Sequence, residues 1–166
     1  MEQLDDTSWA ILEALQENAR ISFAELGKRA GLTAPAVAER VRKMEDAGII
    51  SGYHAAVNLS ALGLPISVVI QLRMNHGRSK EVIDLIRDLP EVTTCYNLTG
   101  NDCFMIVASV ASVEHLERLL EMLTVYGQTT TSIILSMLVK RRAIAGPIHP
   151  AAETANTHKN GGSQRA

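Results

Sequence analysis

Aromatic residues are scarce in this chain: two Phe, three Tyr and one Trp in 166 residues, or 4%. With 46% hydrophobic residues overall, any core must be mostly aliphatic. Two cysteines, Cys95 and Cys103, are too few for a disulfide scaffold and read as reduced structural thiols. No apolar run approaches the roughly 18 residues that a membrane span needs. The acidic start MEQLDD has no signal-peptide pattern, so a cytoplasmic location without a membrane partner is expected. Five histidines, at 54, 76, 115, 149 and 158, do not join the cysteines at metal-ligand spacing. No metal and no other cofactor is therefore expected. A Gly-rich phosphate loop, a nucleophile elbow and a paired-carboxylate set are all missing, and the chain does not read as an enzyme.

The net charge of −2 argues by itself against nucleic acid, but its distribution matters more than its sum. Residues 1–52 carry six Lys/Arg against nine Asp/Glu, and five of those cations, Lys28, Arg29, Arg40, Arg42 and Lys43, cluster within 16 positions. The same stretch holds three helical patterns. Thr7 or Ser8 can cap the first, whose apolar face is Trp9, Ile11, Leu12 and Leu15. Ser22 caps the second, with Glu25 three residues on as a capping-box partner. Gly31 supplies a positive φ for a tight turn, Thr33 caps the third helix, Pro35 suits its first turn, and Gly48 stops it. On this third helix Val37, Val41 and Met44 form one stripe, while Ala36, Glu39, Arg40 and Lys43 point the other way. A short helix with a small residue and cations on its outer face suits the DNA major groove. Arg40 is placed to reach a base edge or a phosphate, Arg42 and Lys43 to reach phosphates, and Thr33 to offer a phosphate its hydroxyl and N–H. For Arg42 and Glu39 a plain solvated-surface role is the stronger alternative. Ile49–Asn58 reads as extended, either a short wing strand or a linker.

From Leu64 the pattern changes to strand, helix, strand, strand, helix, strand, which is the split βαβ, ferredoxin-like arrangement. The segments are PISVVIQLRM, Ser79–Asp88, VTTCYNL, DCFMIVASV, SVEHLERLLEMLTVYG and TTTSIILSMLVKR. Such a sheet has helices on one face only. Its other face must find cover, for which a second copy is the natural candidate. If Gly100 and Asn101 close a two-residue hairpin, Cys95 faces Ile106 and Cys103 faces Leu98, out of bridging reach. In Thr99-Gly100-Asn101-Asp102 a hairpin turn fully explains Gly100 and Asn101, but not the Asp102 carboxylate at the head of CFMIV. That carboxylate suits the ammonium of an amino acid, and the turn's N–H groups suit its carboxylate. A hydroxyl run, Thr129 to Ser132, opens the last strand. After Gly146 the sequence is polar and aperiodic and reads as a disordered tail.

Leu4-Asp5-Asp6, Ile11-Leu12, Leu15-Gln16, Ala19-Arg20, Glu25-Leu26 and Gly31-Leu32-Thr33 form part of a known signature. Val37, Arg40-Val41, Glu45, Gly48-Ile49-Ile50, Gly52-Tyr53 and Thr99-Gly100-x-Asp102 complete it. The chain resembles the Lrp/AsnC (feast/famine) transcription regulators from about residue 3 to 142. The resemblance implies an α+β protein. An N-terminal winged helix-turn-helix domain (1–52) and a linker or wing strand (53–63) would precede a ferredoxin-like βαββαβ, RAM-type effector and oligomerisation domain (64–146), with 147–166 as the tail. It implies double-stranded DNA, an amino-acid effector between subunits, and homodimers assembled into octamers as partners. Thr33, Pro35, Ala36, Arg40 and Lys43 fall where that family meets DNA. Tyr96, Thr99, Gly100, Asn101 and Asp102 fall on its effector loop, and Gln128, Thr130, Thr131 and Ser132 where the last strand closes the pocket. The competing expectation is a ligand-binding or oligomerisation module without DNA regulation. Two positions depart from the family pattern: Ser8 stands where Asp is common, and Met44 where Leu is usual.

Overall fold

The computed structural model describes residues 4–74, 79–100 and 103–146. They divide into two compact units. One holds the residues up to His54 together with those from Arg141 onward, and the other is Ala55–Lys140. This differs from the expected boundary at 146, because the chain after the last strand returns to the first unit. The expected disordered tail, 147–166, lies outside the described residues.

The first unit contains α1 (Asp6–Glu17), α2 (Phe23–Ala30) and α3 (Ala34–Asp46). α1 begins earlier than expected. Its N-cap is Asp5, whose side chain accepts the Ser8 N–H at 2.8 Å, so neither Thr7 nor Ser8 is the cap. An ionised carboxylate at this position also favours the positive end of the helix dipole. Ser22 and Thr33 cap α2 and α3 as expected, accepting the N–H groups of Glu25 and Ala36. The α2–α3 turn depends on two glycines. Gly31 takes φ 67°, and Gly27 lies so close to the next segment that a Cβ there would meet the Leu32 carbonyl oxygen at 2.4 Å. Ile11, Leu15, Leu26, Val37, Val41 and Met44 close the core. Each side chain of this size contributes about 1.5–3 kcal/mol on burial, which outweighs the weak intrinsic preference of helices this short.

The segment after α3 forms no strand. The Ile49 and Ile50 N–H groups bond back to the Met44 carbonyl, at 2.9 and 3.1 Å. Among the described residues of this unit no strand lies beside the segment, so a wing has nothing to pair with. The stretch is a linker, followed by a single 3₁₀ turn at Ser60–Leu62.

The second unit has the expected order: β1 (Ile66–Met74), α4 (Ser79–Asp88), β2 (Val92–Asn97), β3 (Phe104–Val110), α5 (Val113–Thr124) and β4 (Gly127–Ile133). Its antiparallel sheet runs β2-β3-β1-β4. Val68, Ile70, Leu72, Phe104, Ile106, Ala108 and Val110 pack with Val82, Ile86, Leu116, Leu119 and Leu123 of the two helices. The alternate strand residues form a face that carries no helix. Cys95 faces Ile106, the Leu98 N–H donates to the Cys103 carbonyl at 2.8 Å, and both thiols are free. β4 is shorter than the extended run predicts. It ends at Ile133, opposite Val68 of β1, and the Ile134 N–H makes one further bond to the Ser67 carbonyl at 2.8 Å. Leu135, Met137, Leu138 and Val139 beyond it are exposed.

Candidate nucleic-acid interface and effector face

α3 presents Thr33, Pro35, Arg42 and Lys43 to solvent, with Ala36 half-buried among them. Pro35 fixes the backbone of the first turn. The Thr33 hydroxyl is engaged as the cap, 3.4 Å from the Ala36 nitrogen. Arg42 and Lys43 both reach Glu39 one turn away, Lys43 Nζ at 3.9 Å. Exposed pairs of this kind are worth about 0.2–1 kcal/mol, so a phosphate can displace the carboxylate.

Arg40 corrects the expectation of a free outward cation. Its Nη1 lies 2.7 Å from Asp5 Oδ2 and 2.8 Å from Ser8 Oγ, and Ser8 itself is buried. Helical periodicity places Arg40 at the rim of α3, but its reach lets it fold back onto the start of α1. The Ser8 hydrogen bonds and the Arg40 guanidinium hold the Asp5 carboxyl down at about 2. Arg40 thus ties α3 to α1 and borders an open groove with Ala36, Lys43 and Ile49.

Sequence reasoning missed two further contacts in this unit. The Tyr53 hydroxyl donates to Glu45 Oε1 at 2.8 Å, anchoring the exit from α3. Partial burial and this carboxylate raise the Tyr53 pKa to about 12. Gln16 Nε2 donates to the Ile144 carbonyl at 3.1 Å, and Gln16 Oε1 accepts the Ile144 N–H at 3.0 Å. The only signal for either was the place of Gln16 and Tyr53 in the family signature.

In the second unit the register decides which expected effector residues share a face. Tyr96, Met105, Gln71 and Thr130 form one row across the four strands, and Thr94, Val107, Val69 and Ser132 form the next. Gln128 stands opposite Arg73 on the same helix-free face. Tyr96, Gln128, Thr130 and Ser132 are all exposed there. Thr131 does not join them. It pairs with Ile70, whose side chain is fully buried under the helices, so Thr131 belongs to the opposite face. Consecutive strand residues such as Thr130, Thr131 and Ser132 cannot all line one pocket, because side chains alternate. Across the row, Tyr96 and Thr130 stand three strand spacings apart, about 14 Å. Thr99 and Gly100 are exposed at the end of β2, with Gly100 at φ 107°. Asn101 and Asp102 lie outside the described residues.

Two family models match this sequence: the AsnC-type helix-turn-helix domain over residues 4–45, and the Lrp/AsnC ligand binding domain over residues 67–144. The HTH-type transcriptional regulator LrpC of Bacillus subtilis is 34% identical over 134 residues, 81% of this chain and 93% of LrpC. The chain belongs to the Lrp/AsnC family of transcription regulators. The solved LrpC structure superposes with a TM-score of 0.79 at 33% identity, covering 83% of this chain and 99% of LrpC. A transcriptional regulator of Neisseria meningitidis, solved as a complex with L-Met, gives 0.79 at 25% identity, covering 86% and 96%. The feast or famine regulatory protein of M. tuberculosis, complexed with L-methionine, gives 0.77 at 29%, covering 86% and 99%. This Lrp/AsnC chain therefore pairs a DNA-binding helix-turn-helix unit with a ligand-binding α/β unit. Among its described residues no helix is long and apolar enough to cross a membrane.

Proposed function

We propose that this regulator grips specific operator sites through the outer face of α3 and loosens or tightens that grip when an amino acid binds on the helix-free side of the sheet. The observation that carries this reading is the shared face of Tyr96, Gln128, Thr130 and Ser132. It offers hydroxyl and amide groups beside the apolar Met105 and Val107, a composition suited to a zwitterion with an apolar side chain. The L-methionine complexes of two relatives point to the same ligand class. Thr99, Gly100, Asn101 and Asp102 would complete the site, with Asp102 receiving the ammonium. On the DNA side Thr33, Pro35, Ala36, Arg42 and Lys43 would meet the duplex, and Arg40 would set the pitch of α3 rather than read a base. A single copy leaves the sheet face and the apolar run after β4 uncovered. A homodimer, extended to an octamer, would bury both and bring two subunits to each effector. No step of this reading calls for catalysis, and a cytoplasmic protein is its natural setting.

A second reading, a ligand-binding module without DNA regulation, draws on one observation. Each of Lys28, Arg29, Arg40, Arg42 and Lys43 already has a carboxylate partner within its own unit. Gel shifts with genomic fragments of the source organism, with and without each of the twenty amino acids, separate the two. Retarded complexes that change with one amino acid support the regulator. A melting point raised by an amino acid with no retarded complex at low salt supports the module.

A further inference from the structure

The chain's last described segment returns to the helix-turn-helix unit carrying two consecutive arginines. Gln16 on α1 holds that segment by a reciprocal pair of hydrogen bonds to Ile144. Arg141 itself turns the chain, at φ 22°, a backbone region that costs a non-glycine residue free energy and persists where neighbours hold it. Both arginines are exposed and line an open groove of about 560 Å³ with Trp9, Ile49, Ser51 and His54. Ile49 also borders the groove at α3 that Ala36 and Lys43 line, so the two grooves adjoin.

Charge makes this placement consequential. Residues 1–54 carry six Lys/Arg and nine Asp/Glu, a poor balance for a polyanion. Five of those six cations are paired with carboxylates. Among the described residues of this unit, Arg20, Arg141 and Arg142 are the cations without an ion pair. Adding Arg141 and Arg142 brings the balance of this stretch from −3 to −1. An unpaired guanidinium binds phosphate without first giving up a carboxylate, and its fork matches phosphate oxygens.

We infer that Arg141 and Arg142 are backbone-phosphate ligands for duplex DNA, presented beside α3 by a return segment that Gln16 positions. The inference rests on the DNA-binding reading above and adds to it a surface outside the helix-turn-helix motif. Phosphate contacts of this type carry no sequence information, but they fix register on the duplex and release counterions.

The test is the salt dependence of binding to a labelled long duplex of arbitrary sequence, followed by fluorescence anisotropy with full-length protein. For the double variant Arg141→Ala/Arg142→Ala, the slope of log K against log salt concentration should fall by about 0.9 per lost phosphate contact in each DNA-bound subunit. Gln16→Leu, which keeps both arginines but frees the segment, should lower the slope in the same direction. Arg87→Ala on α4 of the other unit serves as the charge control and should leave the slope unchanged. An unaltered slope in the double variant overturns the inference, as does an equal fall in the Arg87→Ala control. An unaltered slope for Gln16→Leu overturns the positioning role. Absence of parent binding at low salt would instead remove the DNA-binding reading itself, and with it this one.

Discussion

Asp5 and Arg40, 35 residues apart, meet in a contact that serves two helices at once. The carboxylate caps α1 through the Ser8 N–H, at 2.8 Å, and receives the α3 guanidinium at 2.7 Å. One exposed acid at a helix terminus thereby links the start of α1 to α3.

A double-mutant cycle on Asp5→Asn and Arg40→Gln should show this dependence. Each single variant is expected to lower the melting point of the helix-turn-helix unit, and the double variant to lose less than the two together. Thermal melts followed by Trp9 fluorescence measure it. Strict additivity would mean that the ion pair couples nothing.

The same carboxyl gives an acid limb. Its pKa is depressed from 3.8 to about 2 in the folded unit. A depressed folded value means that the contribution is complete above the unfolded pKa and is lost as pH falls between about 4 and 2. The parent should destabilise across that window more steeply than Asp5→Asn, in melts collected from pH 6 to pH 2.

Tyr53 should give the opposite limb. Its raised pKa, about 12, favours the protonated hydroxyl that donates to Glu45. Its contribution is therefore complete below about pH 10 and is lost as pH rises through 12. Tyr53→Phe should flatten the alkaline limb of stability and remove the highest-pH component of the tyrosinate absorbance.

Gly27→Ala should be severe for its size. The added methyl would press on the Leu32 carbonyl oxygen, which is backbone and part of the turn into α3. Overpacking of this kind costs about 1–3 kcal/mol. Urea unfolding should show that loss, while Ala30→Gly, at the end of the same helix, should cost less, about 1 kcal/mol or below.

The alternation of β4 sets a sharp contrast between neighbours. Thr130→Val should weaken amino-acid binding by up to roughly tenfold, the value of one lost hydrogen bond. Thr131→Val, whose side chain lies on the helix-covered face opposite Ile70, should leave the affinity unchanged. Isothermal calorimetry with the amino acid found by the melting-point screen checks both.

Local rules made much of this fold legible. Ser22, Gly31 and Thr33 mark their helix ends by side-chain chemistry that acts within three or four residues. Val68, Ile70 and Leu72 mark the covered face of β1 by period-two alternation. What stayed hidden was non-local. Four cap-capable residues, Asp5, Asp6, Thr7 and Ser8, stand in a row, and their side-chain chemistry alone does not say that Asp5 is the one to accept the Ser8 N–H. Helical periodicity gives the direction of the Arg40 Cβ but not where a long flexible side chain ends. The Gln16–Ile144 pair spans 128 positions, and no local pattern announces it. The resemblance places Thr131 in the effector pocket with Thr130 and Ser132, although strand alternation separates it from them.

The return of the chain to its starting unit has a mechanical consequence. The α/β unit is an insertion, entered after His54 and left before Arg141, so two covalent crossings join it to the helical unit. A single cut in the linker after His54 would leave the two units connected through the segment from Arg141, which Gln16 holds to α1.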